Sequence, residues 1–377
     1  MIADRVLLYY SVFMVLVHLI IVIGIIKACR MSKQQACSEK RKELKVSIII
    51  PAKDEETNLP ILFRSLEKVL SPDVQLILAN DRSSDRTRSF MDEFASEHPN
   101  TLVLTNTKPP REGMNPKHSM LATASKYATG DVIMFTDADC TVPENWIDAV
   151  CRYFQDPEIG LVFSAVVTEP GSGIVKRYQT QDHLQRFFYT VGAVGLGSPS
   201  GGFGNNLAIR RSALEEIGGF EAIGFSLTED AQLIAAVRNS GHWLVAVCPF
   251  REALVYARPQ KKLADAAAQE MRWSAGAIFG TDRMTALMYS FMLVFTLVGS
   301  LSFIYIPFHG SAIVYYLAPV ISMVMVSSVG AWYLKCDKSF WLWIVPCALV
   351  GTLFYGFTYL AAFFIKSVSW KGTNVKK

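Results

Sequence analysis

The chain has 377 residues, of which 51% are hydrophobic and 19% charged, and its mean hydropathy is +0.26. A disordered chain needs low hydrophobicity and high net charge, and soluble domains carry about 25% charged residues, so disorder is excluded and an entirely soluble protein is disfavoured. The formal net charge of +4 comes from a local cluster, so no broad basic face indicates a nucleic-acid partner.

The first predicted element is a membrane anchor. Residues 6–26 are almost uninterruptedly apolar and long enough to cross about 30 Å of hydrocarbon as a helix. The alternative is a signal peptide, but its apolar core is usually about 7–15 residues long, and no small-residue cleavage site follows. Seven basic and two acidic residues follow between Lys27 and Lys45, which places the bulk of the chain on the cytoplasmic side of the plasma (inner) membrane. We therefore assign residues 1–30 to an N-terminal transmembrane anchor and residues 31–43 to a basic juxtamembrane linker.

The second region, residues 44–260, has the pattern of a globular domain. Short β-branched runs alternate there with longer amphipathic segments. Continuous apolar strands separated by helices are typical of a mainly parallel α/β sheet, which is covered on both faces. The predicted strands span residues 46–50, 74–79, 102–104 and 132–136, and the predicted helices span residues 59–69 and 86–98.

The third region returns to the membrane. Residues 261–284 form a predicted interface helix, residues 285–366 a C-terminal transmembrane region, and residues 367–377 a basic tail. Three spans after the domain would place the tail outside, whereas its lysines and its lack of acids favour the inside. We therefore expect two to three C-terminal spans. If there are two, one of the three apolar segments is re-entrant or lies at the membrane interface. The candidate spans are residues 285–307, 311–334 and 340–365.

Acidic residues follow the predicted strands at the points where the strands end. Glu55 follows the first strand, Asp81 the second, and the pair Asp137 and Asp139 the fourth. In an open parallel sheet, ligands bind at the carboxyl ends of the strands. Two carboxylates separated by one residue suit Mg²⁺ or Mn²⁺, often with substrate phosphates completing the coordination shell. Each acid alone is explained as a polar turn or a helix cap, whereas the combination predicts one acidic crevice.

Two further polar motifs lie beyond the sheet strands. Thr228-Glu229-Asp230 opens an apolar helical run, where capping and the helix dipole are the alternative explanation. Gln269-Glu270-Met271-Arg272-Trp273 stands just before the membrane region, where an interfacial face is the alternative.

The order of these motifs resembles the D, D-x-D, TED, Q-x-x-R-W signature of membrane-bound family 2 glycosyltransferases, which include cellulose and hyaluronan synthases and ceramide glucosyltransferases. The opening VSIIIPAKDEE, residues 113–119 with Lys117, and residues 370–372 also resemble segments of that family. The resemblance implies a GT-A fold, which is a Rossmann-like sheet carrying a nucleotide site. It also implies a nucleotide-sugar donor and Mg²⁺ or Mn²⁺ as cofactor.

The resemblance implies a role for each matching residue. Asp230 corresponds to the general base, and Asp139, with Asp137, to the metal site. Glu229, Gln269, Arg272 and Trp273 correspond to the residues that hold the diphosphate and shape the acceptor entrance. The donor nucleotide would contact Pro51, Ala52, Glu55, Asp81, Lys117 and Asp137. Lys117 follows Pro116, whereas the family often has a Gly-Lys pair there.

The expected function is an inverting transfer of a hexose from a UDP-sugar to the hydroxyl of a membrane lipid. Ceramide, a carotenoid, diacylglycerol and a polyprenol-type lipid remain open as acceptors. A channel for a growing polymer needs several helices around a polar bore, and the few predicted spans are apolar all round, which favours a single transfer. The alternatives are a processive polysaccharide synthase and a non-catalytic membrane scaffold that binds nucleotide-sugars.

Overall fold

The computed structural model describes residues 2–36, 43–111, 114–169, 173–224, 228–279, 282–364, 367–370 and 373–376. Some of the positions singled out in the sequence lie outside the described residues: Lys40, Arg41 and Lys42 of the basic linker, Gly113, and Lys366, Lys371, Gly372 and Lys377 near the tail.

The strands form one large sheet and two small ones. The seven-stranded sheet has the order β3-β2-β1-β4-β8-β6-β9, in which β8 is antiparallel to β4 and β6 and every other pairing is parallel. The three-stranded sheet has the order β5-β10-β7, and β11 pairs with β12. The strands are β1 (Val46–Ala52), β2 (Val74–Asp81), β3 (Thr101–Asn106), β4 (Val132–Phe135), β5 (Cys140–Thr141), β6 (Ile159–Ser164), β7 (Val166–Thr168), β8 (Leu207–Arg210), β9 (Leu244–Cys248), β10 (Val255–Ala257), β11 (Ser367–Trp370) and β12 (Thr373–Lys376).

The helices cover both faces of the large sheet and continue into an apolar bundle. They are α1 (Ile2–Ala36), α2 (Leu59–Leu66), α3 (Thr87–Glu97), α4 (Pro116–Ala124), α5 (Trp146–Cys151), α6 (Ile174–Gly195), α7 (Arg211–Glu216), α8 (Gly219–Ala222), α9 (Glu229–Asn239), α10 (Leu263–Phe279), α11 (Arg283–Tyr305), α12 (Ala312–Leu334) and α13 (Lys338–Phe364). Three short 3₁₀ turns complete the domain at Ser125–Tyr127, Tyr153–Gln155 and Arg251–Ala253.

The strands are apolar on both faces because each face has its own core. Along β1, Ile48 and Ile50 belong to one hydrophobic cluster, whereas Ile49 belongs to the other. This alternation follows from the two-residue period of a strand. The predicted parallel α/β sheet is therefore confirmed, and the four predicted strands correspond to β1–β4.

Four helices in the described part of the chain are long and apolar enough to cross a membrane: residues 3–35 of α1, α11, α12 and residues 338–358 of α13. One lies before the sheet domain and three lie after it. Each of the three C-terminal segments is a continuous helix, which supports the higher of the two expected numbers of spans.

The anchor helix α1 is not separate from the globular domain. It extends ten residues beyond the predicted apolar segment, which ends at residue 26, and at 1.5 Å per residue its length is about 50 Å. Ile25 and Cys29 are buried in the core beneath the sheet. Ser32 donates a hydrogen bond to the carbonyl of Val247 over 2.8 Å and also contacts the hydroxyl of Tyr153. The end of α1 therefore fixes the sheet domain to the membrane helices.

Helix α6 is an element that the sequence patterns did not predict. It packs against α1 and also contacts α12 and α13. The contact with α1 is close enough that a Cβ added at Gly195 would overlap the carbonyl of Gly24. Close approach of this kind is typical of membrane helices with small residues at the interface. Helix α6 therefore joins the sheet domain to three of the candidate spans.

Candidate active site

A cavity of about 770 Å³ lies at the carboxyl ends of the central strands. It is bounded by the loops after β1, β2 and β4 on one side and by α6, α10 and α11 on the other. All twelve residues singled out in the sequence line this cavity: Pro51, Ala52, Glu55, Lys117, Asp81, Asp137, Asp139, Glu229, Asp230, Gln269, Arg272 and Trp273. The tertiary structure thus brings the strand-end acids and the two later motifs to one place.

The loops after β1 and β2 are tied to one another by side chains. The backbone N–H of Ser84 donates to Oδ1 of Asp54 over 2.7 Å, and the N–H of Glu55 donates to the hydroxyl of Thr87 over 2.7 Å. Asp54 and Arg82 have φ of 53° and 55°, which is the left-handed region that residues other than glycine rarely adopt. Backbone strain held by surrounding bonds is concentrated at functional sites, and the two hydrogen bonds hold the loop after β1 against the loop after β2 along one wall of the cavity.

Asp81 is only 2% exposed, and both of its carboxylate oxygens accept hydrogen bonds from the guanidinium of Arg82, each over 2.9 Å. A carboxylate has about four lone-pair positions, so this pairing leaves Asp81 able to accept a further hydrogen bond. Sequence reasoning had not paired Arg82 with Asp81. A ligand that approaches Asp81 therefore meets a cationic neighbour as well as the acid.

Lys117 connects the D-x-D motif to the start of α9. Its Nζ lies 2.8 Å from Oδ1 of Asp137 and 3.2 Å from Oε1 of Glu229. Burial disfavours the ammonium, but these two carboxylates raise the pKa of Lys117 above its ordinary value. Burial likewise opposes ionisation of Glu229, yet Lys117 keeps its pKa below the ordinary value. The pair is therefore charged, and Glu229 is a poor candidate for accepting a proton.

The pKa of Asp230 is shifted in the opposite direction to that of Glu229. Burial, with Glu229 beside it, raises the pKa of Asp230 to about 6. Its Oδ2 accepts a hydrogen bond from the backbone N–H of Gly204 over 2.8 Å, and its Oδ1 accepts one from the N–H of Ala231 over 2.8 Å. Two neighbouring carboxylates whose pKa values are shifted apart are typical of an acid–base site.

Asp137 and Asp139 could hold a divalent cation together with a substrate. Among the described residues, no three Asp, Glu, His or Cys side chains are grouped as a metal site. Two carboxylates at one strand end fit a cation that completes its shell with water and phosphate oxygens, which is the usual mode of Mg²⁺. Lys117 lies within hydrogen-bonding distance of both oxygens of Asp137, so a cation held by that carboxylate would lie next to an ammonium.

Helices α10 and α11 form the membrane side of the cavity. Arg272 lies within electrostatic reach of Glu229, Asp230 and Asp137, so it places a positive charge among the three acids. Helix α10 packs closely on the start of α9, since a Cβ added at Gly276 would overlap the side chain of Thr228. Tyr289 reaches the cavity from α11, which is a candidate span. The cavity therefore extends from the strand ends to a membrane helix.

The sequence analysis did not predict a further wall of the cavity, which is the polar face of α6. Gln179, His183, Arg186 and Thr190 all line the cavity. They are spaced by four, three and four residues, as on one face of a helix. This spacing was available in the sequence, but polar residues on a helix more often indicate a solvated face than a buried one.

Comparisons with known proteins agree with this geometry. The model of glycosyl transferase family 21 matches residues 12–376. The chain belongs to this family. The match confirms the resemblance to glycosyltransferases of the ceramide glucosyltransferase kind.

Two curated proteins are among the relatives of this family 21 member. It is 31% identical over 221 residues to the probable glycosyltransferase YdaM of Bacillus subtilis, covering 54% of this chain and 49% of that protein. It is 24% identical over 197 residues to the beta-monoglucosyldiacylglycerol synthase of a Synechocystis species, covering 50% of this chain and 39% of that protein. The chain thus spans about half or less of the length of these relatives.

A solved structure confirms the GT-A fold of the family 21 chain. It is the mannosyltransferase PcManGT of Pyrobaculum calidifontis in complex with GDP-mannose and Mn²⁺, with a TM-score of 0.53 and 15% identity. The similarity covers 95% of this chain and 98% of that chain. At this identity the likeness concerns the fold and not the substrates.

Proposed function

We propose that this protein transfers a hexose from a UDP-sugar to the hydroxyl of a membrane lipid, with inversion at the anomeric carbon. The observation that carries the proposal is the single cavity that contains both the strand-end aspartates and Asp230 and that reaches Tyr289 on a candidate span. Residues 44–260 would form the catalytic domain on the cytoplasmic face of the plasma (inner) membrane. The basic residues that follow the apolar part of α1 favour that side.

The donor half of the site would be the wall formed by the β1 and β2 loops. Pro51, Ala52, Glu55 and Asp81 line it, and Asp81 has acceptor capacity for an N–H of the base. Mg²⁺ or Mn²⁺ at Asp139 would supply Lewis-acid stabilisation of the charge that develops on the leaving diphosphate. Arg272 supplies a guanidinium for phosphate oxygens. Lys117 holds Asp137 and Glu229 in place.

Asp230 would act as the general base. The acceptor oxygen forms a bond to the anomeric carbon, and the bond from that carbon to the diphosphate oxygen breaks. The electron pair leaves with the nucleoside diphosphate, and the hydroxyl proton passes to Asp230. A raised pKa near 6 makes this carboxylate a stronger base than an ordinary aspartate while leaving it ionised at neutral pH. Because the proposal includes no protein nucleophile, direct displacement inverts the configuration.

A lipid acceptor is favoured over a growing polysaccharide by the membrane side of the cavity. Each of the three C-terminal helices is long and apolar enough to cross a membrane. A related protein is named for making glucosyldiacylglycerol, which is a single transfer to a lipid hydroxyl. Both features support one transfer to a lipid.

The test is mass spectrometry of lipids from cells with and without the chain, together with purified membranes supplied with UDP-hexose and Mg²⁺ or Mn²⁺. We expect one new glycolipid with inverted configuration at the sugar. A ladder of polysaccharide products would show that the chain is a polymer synthase. A product that keeps the donor's anomeric configuration would exclude direct displacement, and absence of donor turnover with every lipid extract would exclude the enzyme.

A further inference from the structure

A second opening in the described part of the chain lies between α1 and α12, away from the active-site cavity. It is a groove of about 280 Å³, lined by Ile26 from α1 and by Ser328, Val329, Trp332 and Tyr333 from α12. None of these residues lines the larger cavity. The side chain of Trp332 is 68% exposed, and both helices are long and apolar enough to cross a membrane. The groove therefore opens outward from the helix bundle, towards the surrounding lipid.

Three cations lie beside one end of the groove. The Nζ of Lys33 lies 5.7 Å from the centre of the Tyr333 ring. Arg30 is on the same face of α1 as this lysine, because positions 26, 30 and 33 are spaced by four and three residues. Lys335 directly follows the last residue of α12. All three cations are exposed, and the ion pairs of the described residues include none of them.

The groove and the cations lie at different depths in the membrane. Ile26 ends the predicted apolar segment, and Lys33 lies about 10 Å farther along α1 at 1.5 Å per residue. Ser32, next to this lysine, hydrogen-bonds to β9 of the sheet domain, so the cations are on the side of the membrane that faces this domain. Trp332 and Tyr333 lie between the two levels, and such aromatic residues are typical of the boundary between hydrocarbon and headgroups.

A phospholipid with a net negative charge matches this arrangement. Its acyl chain can lie in an apolar groove that opens to the bilayer, and its phosphate can lie among cations at the level of the headgroups. Basic pockets between membrane helices attract anionic headgroups in this way. A zwitterionic phospholipid fits the groove equally well, but its headgroup carries a cation of its own and gains less from three positive charges.

We propose that the groove between α1 and α12 binds one anionic phospholipid, with an acyl chain against Ile26 and Val329 and the phosphate among Arg30, Lys33 and Lys335. This lipid is a bound partner of the helix bundle and not a substrate, because the groove and the active-site cavity have no lining residue in common. By contacting both helices, the lipid holds α1 against α12 beside the sheet domain. The inference does not depend on the proposed transfer reaction.

The first test measures which lipid stays bound to the purified protein in detergent. Native mass spectrometry follows incubation with equal amounts of phosphatidylglycerol and phosphatidylcholine. We expect one phosphatidylglycerol to bind with a preference of several-fold or more. Lys33→Gln should weaken its binding by about fivefold, which is the contribution of one cation near an anionic headgroup. The matched control is Lys27→Gln, which removes the same charge from an exposed position about a quarter-turn away on α1 and should keep the preference.

Two further measurements locate the lipid. Ser328→Phe fills the groove and leaves every cation in place, so it should displace phosphatidylglycerol without changing the charge of the surface. Brominated acyl chains quench the fluorescence of a tryptophan that they contact. The fluorescence difference between the wild type and Trp332→Phe isolates this tryptophan, and brominated phosphatidylglycerol in phosphatidylcholine vesicles should quench it more than brominated phosphatidylcholine at the same mole fraction.

Three results would overturn the inference. The first is equal retention of the two lipids by the wild type. The second is an equal loss of preference in Lys27→Gln and Lys33→Gln, which would show a diffuse attraction to the basic surface. The third is equal quenching of Trp332 by the two brominated lipids, and this comparison decides the matter if Lys33→Gln or Ser328→Phe does not fold. None of these measurements uses sugar transfer, so the inference and the proposed function can fail separately.

Discussion

The backbone N–H of Gly204 donates a hydrogen bond to Oδ2 of Asp230 over 2.8 Å. The two residues come from different motifs, a glycine-rich loop before β8 and the first turn of α9. A Cβ added at Gly204 would lie 2.9 Å from the Cβ of Asp230, so the contact requires a residue without a side chain. The loop therefore sets the position of the proposed base, and its glycine is part of the site.

The substitution Asp230→Asn should lower kcat by about 10²–10⁴-fold, because the amide cannot accept the hydroxyl proton. Donor affinity should stay near the wild-type value, since the residues proposed to contact the nucleotide are unchanged. Product formation and calorimetric binding of UDP-sugar with Mn²⁺ measure the two quantities. The control is Asp73→Asn at an exposed site, and a joint loss of turnover and donor binding in Asp230→Asn would show that Asp230 has a structural or metal-associated role.

The substitution Gly204→Ala should displace the Asp230 carboxylate and lower kcat by about one to two orders of magnitude, because small misplacements of reacting groups are costly. The added Cβ would lie 2.9 Å from the Cβ of Asp230, so Asp230 must move. We expect this movement to stay local, and thermal unfolding of the purified protein measures whether it does. Gly310→Ala is the matched control, because an added Cβ there meets nothing within 4 Å. Wild-type turnover in Gly204→Ala would show that the position of Asp230 does not depend on this contact.

The pH dependence of kcat/KM should show an acid limb with a midpoint near the pKa of Asp230, which burial raises to about 6. The base acts when deprotonated, so activity is present above this pH and falls about tenfold per pH unit below it. Lys117 lowers the pKa of Asp230, so Lys117→Met should move the acid limb to higher pH. If the acid limb is unchanged in Lys117→Met and also persists in the residual activity of Asp230→Asn, the limb belongs to another group.

The substitution Asp139→Ala should weaken the metal-dependent part of nucleotide binding, because Asp139 is the carboxylate at which we propose that the cation binds. Calorimetry with UDP, with and without Mn²⁺, measures this part directly, and chelation by EDTA should bring the wild type to the level of the variant. The exposed Asp73→Ala serves as control. An Asp139→Ala protein whose UDP affinity still rises with Mn²⁺ to the wild-type value would remove Asp139 from the metal site.

Much of the donor half of the site was predictable because parallel strands end at one edge of a sheet. Asp81 and Asp137 stand directly after β-branched runs, and once these runs form neighbouring strands their ends meet. The pairing of β1 with both β2 and β4 is consistent with this expectation. In contrast, the contact of Lys117 with Glu229 joins residues 112 positions apart (229 − 117) over 3.2 Å, and no local pattern indicates it.

The sequence by itself determined the parallel sheet and the apolar helices, because the patterns of strands and membrane helices are local. It also determined the set of acids that line the cavity, because the carboxyl ends of neighbouring parallel strands lie at the same edge of the sheet. Tertiary packing decided which acid has a lowered pKa and which has the raised pKa of the proposed base, since that difference arises from the burial of Asp230 and from the ammonium beside Glu229. It also turned the polar residues of α6 into a wall of the cavity. A helix face is buried or solvated according to the elements that pack on it, and here those elements include α1, α12 and α13, which are remote in sequence.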